Sequence, residues 1–292
     1  MSILLSWTWV GLWPSWIAVC AAILVVGNRY YALFIIGHDG LHRNLFRSRW
    51  ANDLFADCLI LAPIGAITRL NNSNHLNHHH SLATADDPDR HRYTCLNKAT
   101  LPMLLFFLAG TLSACRSVYD VFVRRPTAAQ GASGRYRFRD FVILVGWQTA
   151  LMAGLSLGIG WWAYLVLWLL PTYVFTFVAD NLRTFLEHAQ IEPDREADQH
   201  RLITYRSNPL ERCLLAPMHM NLHAAHHLWP SIPYYNLSQA DRELQRLAVG
   251  GELEWRSSYL GFLWRYARAL PLHDCLSAAS GLLSSGRAPV EV

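Results

Sequence analysis

The sequence predicts an all-α membrane protein: about four transmembrane helices in two hairpins, capped by a cytoplasmic helical domain. Three observations carry that prediction. Long apolar runs come in two pairs, arginines flank their ends, and three histidine clusters stand beside those ends. The chain of 292 residues is 52% hydrophobic and only 16% charged, and its 12 Trp and 12 Tyr are residue types that favour the bilayer interface.

The elements follow in order. Residues 3–37 are apolar almost throughout, broken by Pro14-Ser15 and by Asn28-Arg29. A bilayer crossing takes about 20 apolar residues. This stretch therefore reads as a short first segment at about 3–13 and a full one at about 16–37 that runs into His38. A second pair, 141–159 and 161–180, is divided by Gly158-Ile159-Gly160. Between the pairs, 53–68 and 100–122 are apolar but shorter or interrupted, which leaves re-entrant, interfacial and protein-buried placements open. Arg43, Arg47 and Arg49 follow the first pair, Arg135, Arg137 and Arg139 precede the second, and Arg183 follows it. The positive-inside rule puts these ends in the cytoplasm, and the histidine clusters with them. No internal repeat or linker divides the chain, so 1–280 reads as one membrane-embedded domain and 281–292 as a flexible tail.

Composition excludes several classes. A net charge of +4, scattered along the chain, gives no basic patch for nucleic acid. The basic residues are 24 Arg and one Lys, Lys98, a bias that points to a GC-rich bacterial genome. Cys20, Cys58, Cys95, Cys115, Cys213 and Cys275 form no C-x-x-C pair, so no iron–sulfur or cysteine zinc site is read from them. The N-terminus lacks a basic leader and its apolar run is long, unlike a cleavable signal.

The chemistry lies in the histidines. His38 and His42 form H-x-x-x-H in HDGLH, His75, His78 and His79 stand in HLNHHH, and His223, His226 and His227 form H-x-x-H-H in HAAHH. Residues three or four apart share a helix face, so each string aims its imidazoles one way. Neutral imidazole is a good ligand for iron, zinc or copper. Polar groups ending an apolar helix are costly unless they bind something. Asp39 is placed to orient a ligand imidazole. In the second cluster the registry His75, His79, His80 also satisfies the geometry. The acidic stretch Thr84 to Asp89 has three readings: metal ligands, partners for imidazoles, or a solvated turn, the turn being the simplest. His219, four before His223, can join that face. His188 directly follows the last apolar run, as a ninth ligand or a surface residue. His91, His200 and His273 have no partner at ligand spacing.

The pattern lacks the Glu beside the first His that a zinc protease uses as base, and the Glu-x-x-His pairs of soluble di-iron bundles. Eight or nine imidazoles exceed what one ion takes. Two ions in an all-nitrogen shell fit the count, and iron fits oxidative chemistry beside a lipid.

With these motifs the sequence resembles the integral-membrane fatty acid desaturases and hydroxylases, whose three histidine boxes stand here as HDGLH, HLNHH and HAAHH. Asp86-Asp87-Pro88-Asp89, Asn181 with Arg183 through His188, Leu228-Trp229-Pro230 and Pro233-Tyr234-Tyr235 extend the likeness over roughly 30–240. The leader before the first box is short, and His80 is extra to the second. The resemblance implies a non-haem di-iron centre on the cytoplasmic face, held by His38, His42, His75, His78, His79, His223, His226 and His227 with His188. It also implies O2 as co-substrate and a fatty acyl lipid, acyl-CoA or acyl-carrier substrate, met in a bacterial inner membrane. Electrons would come from an external ferredoxin, rubredoxin or cytochrome b5-type donor, since no haem or iron–sulfur motif is fused to the chain. Desaturation is the leading expectation. Hydroxylation or ketolation of an acyl chain, carotenoid or other apolar metabolite is the alternative with the same centre. A metal transporter would need ligands near mid-bilayer, and a lipid-binding protein with vestigial boxes would not keep a full ligand set.

Overall fold

The computed structural model describes residues 1–94, 100–110, 115, 138–191, 201–247 and 253–270. It is mostly helical, and the two expected hairpins are present. In the first, α1 (Ser2–Leu12) turns at Pro14 into α2 (Trp16–Leu41). Ser15 caps α2, its Oγ accepting the Ala18 amide at 3.2 Å. At 1.5 Å per residue, α2 is about 39 Å long against a hydrocarbon layer of about 30 Å. The helix is long enough to cross such a layer with residues to spare, and His38 stands near its C-terminal end.

The second hairpin is α7 (Phe138–Gly158) and α8 (Leu165–His188). With α2, these make three helices, among the described residues, long and apolar enough to cross a membrane. The 11-residue α1 is shorter, about 17 Å. The sequence reading ended the last span at 180, but α8 continues without a break to His188. It also widens into π-helical turns at Leu165–Leu169 and Tyr173–Val178, on either side of Pro171. Proline has no amide hydrogen and its ring crowds the preceding turn, and wide turns accommodate both.

The apolar stretch at 53–68 is partly buried, with Ala56, Ile60, Leu61 and Ala62 packed inside and Phe55 and Leu59 exposed. Helix α3 (Arg49–Ala56) runs on through a π turn, Asp57–Leu61, and a 3-10 turn, Ala62–Ile64. Gly65 stops it at φ 81, a left-handed conformation that glycine adopts without cost. The carbonyls freed by this break are taken by side chains. Trp147 Nε1 donates to Cys58 O at 2.6 Å, Gln148 Nε2 to Pro63 O at 2.7 Å, and Tyr30 OH to Ile60 O. Of the stretch at 100–122, α6 (Leu101–Leu108) is described and most of the remainder lies outside the described residues. So do Arg135, Arg137, Cys95, Cys275, His200, His273 and the tail 281–292.

Two cores hold the spans together. Val10, Ala22, Val26 and Tyr30 of the first hairpin pack on Leu155, Leu167 and Trp168 of the second. Beyond them Tyr31 and Ile35 meet Phe175, Phe185 and Leu186. Gly27 lets this happen, because a β carbon there would run into the Phe175 ring. Gly27→Leu is expected to destabilise the detergent-solubilised protein by about 1–3 kcal/mol through overpacking, read as a lower melting temperature. Melting unchanged from wild type would mean that α2 and α8 can separate freely.

The cap holds the helices α4 (Thr68–Ser81), α5 (Arg90–Tyr93), α9 (Pro209–Leu215), α10 (His223–Leu228), α11 (Leu237–Arg246) and α12 (Tyr259–Ala269). It also holds a feature absent from the sequence reading. Strand β1 (Leu202–Tyr205) pairs in parallel with β2 (Leu253–Arg256), Leu202 opposite Leu253. Four residues are too few for alternation to show in a sequence. The pair fixes the third histidine cluster, since Tyr205 N donates to Asn221 O and Asn221 Nδ2 to Tyr205 O, both at 2.8 Å.

Candidate metal centre

The ends of α2 and α8 and the histidine faces of α4 and α10 meet at one place. His38, His42, His75, His79 and His226 each bring a ring nitrogen within 4.8 Å of all the others. His78, His188 and His227 form a second group by the same measure. His223 joins the second group through its Nε2, 3.0 Å from His188 Nε2. The two groups touch, with the His79 and His227 rings stacked at 4.1 Å.

Within the first group, Nε2 atoms face Nε2 atoms. His75 is 2.7 Å from His42 and 3.1 Å from His79, and His79 is 3.1 Å from His226. Two nitrogens bound at about 2.1 Å and at right angles on one ion lie about 3 Å apart. The spacing suits a shared metal. Most of these rings are buried, His188 and His226 almost completely. His227 has both ring nitrogens buried without a hydrogen-bond partner among the described residues. Such a group costs free energy unless something else binds it. The donor set therefore fits a pair of nitrogen-ligated transition-metal ions.

Burial also keeps the rings in their ligating form. It pushes the pKa of His42 down to about 4 and that of His79 to about 2, and it holds His75, His223, His226 and His227 well below the usual histidine range. A protonated ring would also repel any charge on its neighbours in the cluster, which adds to the effect.

Partners behind the rings orient several of them. His78 Nδ1 lies 2.9 Å from Asp87 Oδ1, and Asp87 Oδ2 accepts Tyr93 OH at 2.5 Å. Burial alone would raise the Asp87 pKa, but the bonds from His78, Tyr93 and the Asp89 amide outweigh it and hold the carboxyl down. His188 Nδ1 donates to Arg201 O at 2.9 Å. Glu187 Oε2 lies 3.3 Å from His223 Nδ1, close but not in hydrogen-bonding geometry. Glu187, fully buried, accepts Arg183 Nη1 at 2.8 Å and Tyr259 OH at 2.9 Å. Arg183 Nη2 in turn donates to Asp180 Oδ1 at 3.0 Å, and Arg92 Nη2 to Asp180 Oδ2 at 2.9 Å.

These positions correct three sequence readings. Asp39 does not orient an imidazole; its Oδ2 accepts the Tyr234 amide at 2.9 Å and ties the loop after the third cluster to α2. The stretch 84–89 is more than a solvated turn, because Asp87 is buried against His78. His219 does not share the face of His223, since α10 begins at His223 and His219 is exposed at φ 64 beside Ser238. Of the open alternatives, His80 is exposed and away from both groups, while His188 is fully buried inside the second. Glu187 was missed although it stands four residues after Arg183, the spacing of a helical ion pair.

Asp87→Asn keeps the shape but turns an acceptor that fixes His78 into an amide. Outer partners of metal-bound histidines are worth roughly 10–100-fold in metal affinity or activity. A fall in metal affinity within that range is expected by competitive chelation, and wild-type affinity would show that Asp87 serves the fold alone.

The comparisons agree with this arrangement. Sn-1 acyl-lipid omega-3 desaturase (ferredoxin) of Nostoc sp. (strain 36) is 26% identical over 249 residues, 79% of this chain and 68% of the relative. Sn-1 oleoyl-lipid 12-desaturase of Arthrospira platensis is 23% identical over 276 residues, 85% of this chain and 73% of that protein. Beta-carotene ketolase of Haematococcus lacustris is 24% identical over 234 residues, covering 78% and 63%. The family described as Fatty acid desaturase matches residues 14–259, a stretch that holds every histidine of both groups. Apolar spans ending in a shared histidine centre, in a chain matched over most of its length, make this protein a member of the fatty acid desaturase family of membrane oxidoreductases.

Proposed function

We propose that the chain desaturates a fatty acyl chain in an O2-dependent reaction at two non-haem iron ions. The observation that carries this is the pair of adjoining all-histidine groups at the ends of apolar spans. His38, His42, His75, His79 and His226 would hold one ion, and His78, His188, His223 and His227 the other. Bound there, the iron pair supplies the reductive activation of O2 that hydrogen removal from an unactivated methylene requires. The chain's own residues do the rest. Buried imidazoles stay neutral and ready to ligate, Asp87 fixes His78, and Glu187 stands behind His223.

The flanking arginines support an inner-membrane protein with this centre in the cytoplasm. The Nostoc relative carries ferredoxin in its name, and a ferredoxin-type donor is assigned on that likeness. A single domain over 1–280 is consistent with the extent of the family match. A transport path is disfavoured, because the histidines of both groups meet at one end of the spans instead of marking a route across them.

The ketolase relative favours one second reading, oxygen insertion into a carotenoid or other apolar substrate at the same centre. Mass spectrometry of lipids and apolar metabolites from bacteria expressing the wild type and His226→Ala separates the two. A product lighter by two hydrogens, absent with the variant, is the expected result. A product that has gained oxygen would replace desaturation with hydroxylation or ketolation.

A further inference from the structure

The arginines that follow the first hairpin do more than mark a cytoplasmic end. Arg43, Arg47 and Arg49, with Phe46, Asn72 and Leu76, line an open cavity of about 340 Å³. His42, from the first histidine group, is part of the same wall. Arg43 has a loose partner in Asp53 at 3.7 Å. Among the described residues Arg47 and Arg49 have neither an ion pair nor a hydrogen bond. A run of exposed arginines is ordinarily just solvated. Here the charges surround a concavity that opens on the candidate metal centre, at the end of a membrane span.

Apolar groups stand beside them. Trp50 is 72% exposed, and Phe46 and Leu76 are also exposed. Aromatic and basic side chains together are the composition of a surface seated among lipid headgroups. A flat docking face for a soluble acidic protein would need neither the cavity nor the bare Trp50. Guanidinium forks match phosphate oxygens in pairs. We infer that this cavity binds the phosphate headgroup of an anionic phospholipid, holding the acyl-lipid substrate at the mouth of the histidine centre. The inference rests on the acyl-lipid reading above and names the headgroup class.

The test uses iron-loaded full-length protein in an uncharged detergent, with a fluorescent phosphatidylglycerol as probe. Diacylglycerol, inorganic phosphate, coenzyme A and a ferredoxin are the competitors. The variant is Arg47→Ala with Arg49→Ala, which spares the Arg43–Asp53 pair, and iron content and melting temperature are read alongside. The expected result is phosphatidylglycerol affinity about thirtyfold lower in the variant, the loss for two arginines at an anionic surface, with iron unchanged. The conservative pair, Arg47→Lys with Arg49→Lys, should recover part of it. Equal affinity in wild type and the alanine variant overturns the site. So does a variant that loses only ferredoxin, or stronger competition by coenzyme A or free phosphate than by the lipid. Binding is read without turnover, so the two readings fail separately. An oxygenated product from a wild type that still binds the lipid sinks desaturation and leaves the headgroup site standing.

Discussion

His79→Ala is expected to abolish turnover and lower the bound iron, while His80→Ala should leave both at wild-type levels. The two residues are neighbours on α4, so helix propensity and surface charge change almost equally in the two variants. What differs is direction. His79 puts Nε2 3.1 Å from His75 and 3.1 Å from His226, and its ring stacks on His227, so it lies at the seam of the two groups. His80 is exposed. An outer partner of a metal-bound histidine is worth roughly 10–100-fold, and a ligand at the seam should cost more than that. Iron per chain by elemental analysis, with product by mass spectrometry, reads both effects. Full iron and activity in His79→Ala would refute the ligand set, and loss with His80→Ala as well as His79→Ala would restore the other registry. His226→Ala should follow His79→Ala, since its nitrogen meets the same group from α10.

That contrast marks how far the sequence could be read. Helical spacing offered His75, His78 and His79 first but left the registry with His80 open, and the structure puts the first three rings in the centre and leaves His80 exposed. It could not decide whether His188 was a ligand or a surface residue, because that depends on where α8 ends. The run of apolar residues weakens near 180, yet the helix persists for two more turns on an amphipathic pattern. Once the helix is extended, Arg183, Glu187 and His188 fall into register with the core behind the metal groups. Asp87 was hidden for a different reason. A cluster of Asp and Pro reads as a turn, and only the fold of α4 and α5 against each other buries one carboxylate on His78. The strands β1 and β2 were too short for periodicity, and their parallel pairing joins segments about fifty residues apart, which no local signal reports.

The second large effect is thermodynamic and concerns the charges behind the centre. Glu187→Ala should destabilise the protein by about 3–5 kcal/mol, the usual cost of removing one member of a buried ion pair. The carboxylate is fully buried, and its partners cannot reach water when it goes. Arg183 keeps Asp180 and the Tyr31 hydroxyl but loses the 2.8 Å bond on Nη1, and Tyr259 OH is left without an acceptor. Asp180 cannot compensate, because it already serves Arg92 as well as Arg183. Glu187→Gln keeps the volume and an acceptor for Tyr259, so it should cost less in stability. A double replacement, Arg183→Met with Glu187→Leu, removes both charges together. The pair was expensive to desolvate, so losing both members costs less than losing one. The double variant should therefore melt above Glu187→Ala, and its non-additivity against the single Arg183→Met and Glu187→Leu variants measures the coupling. Additive losses, with the double variant least stable of all, would mean that Arg183 and Glu187 act independently. The long helix end carrying His188 would then be held by packing alone.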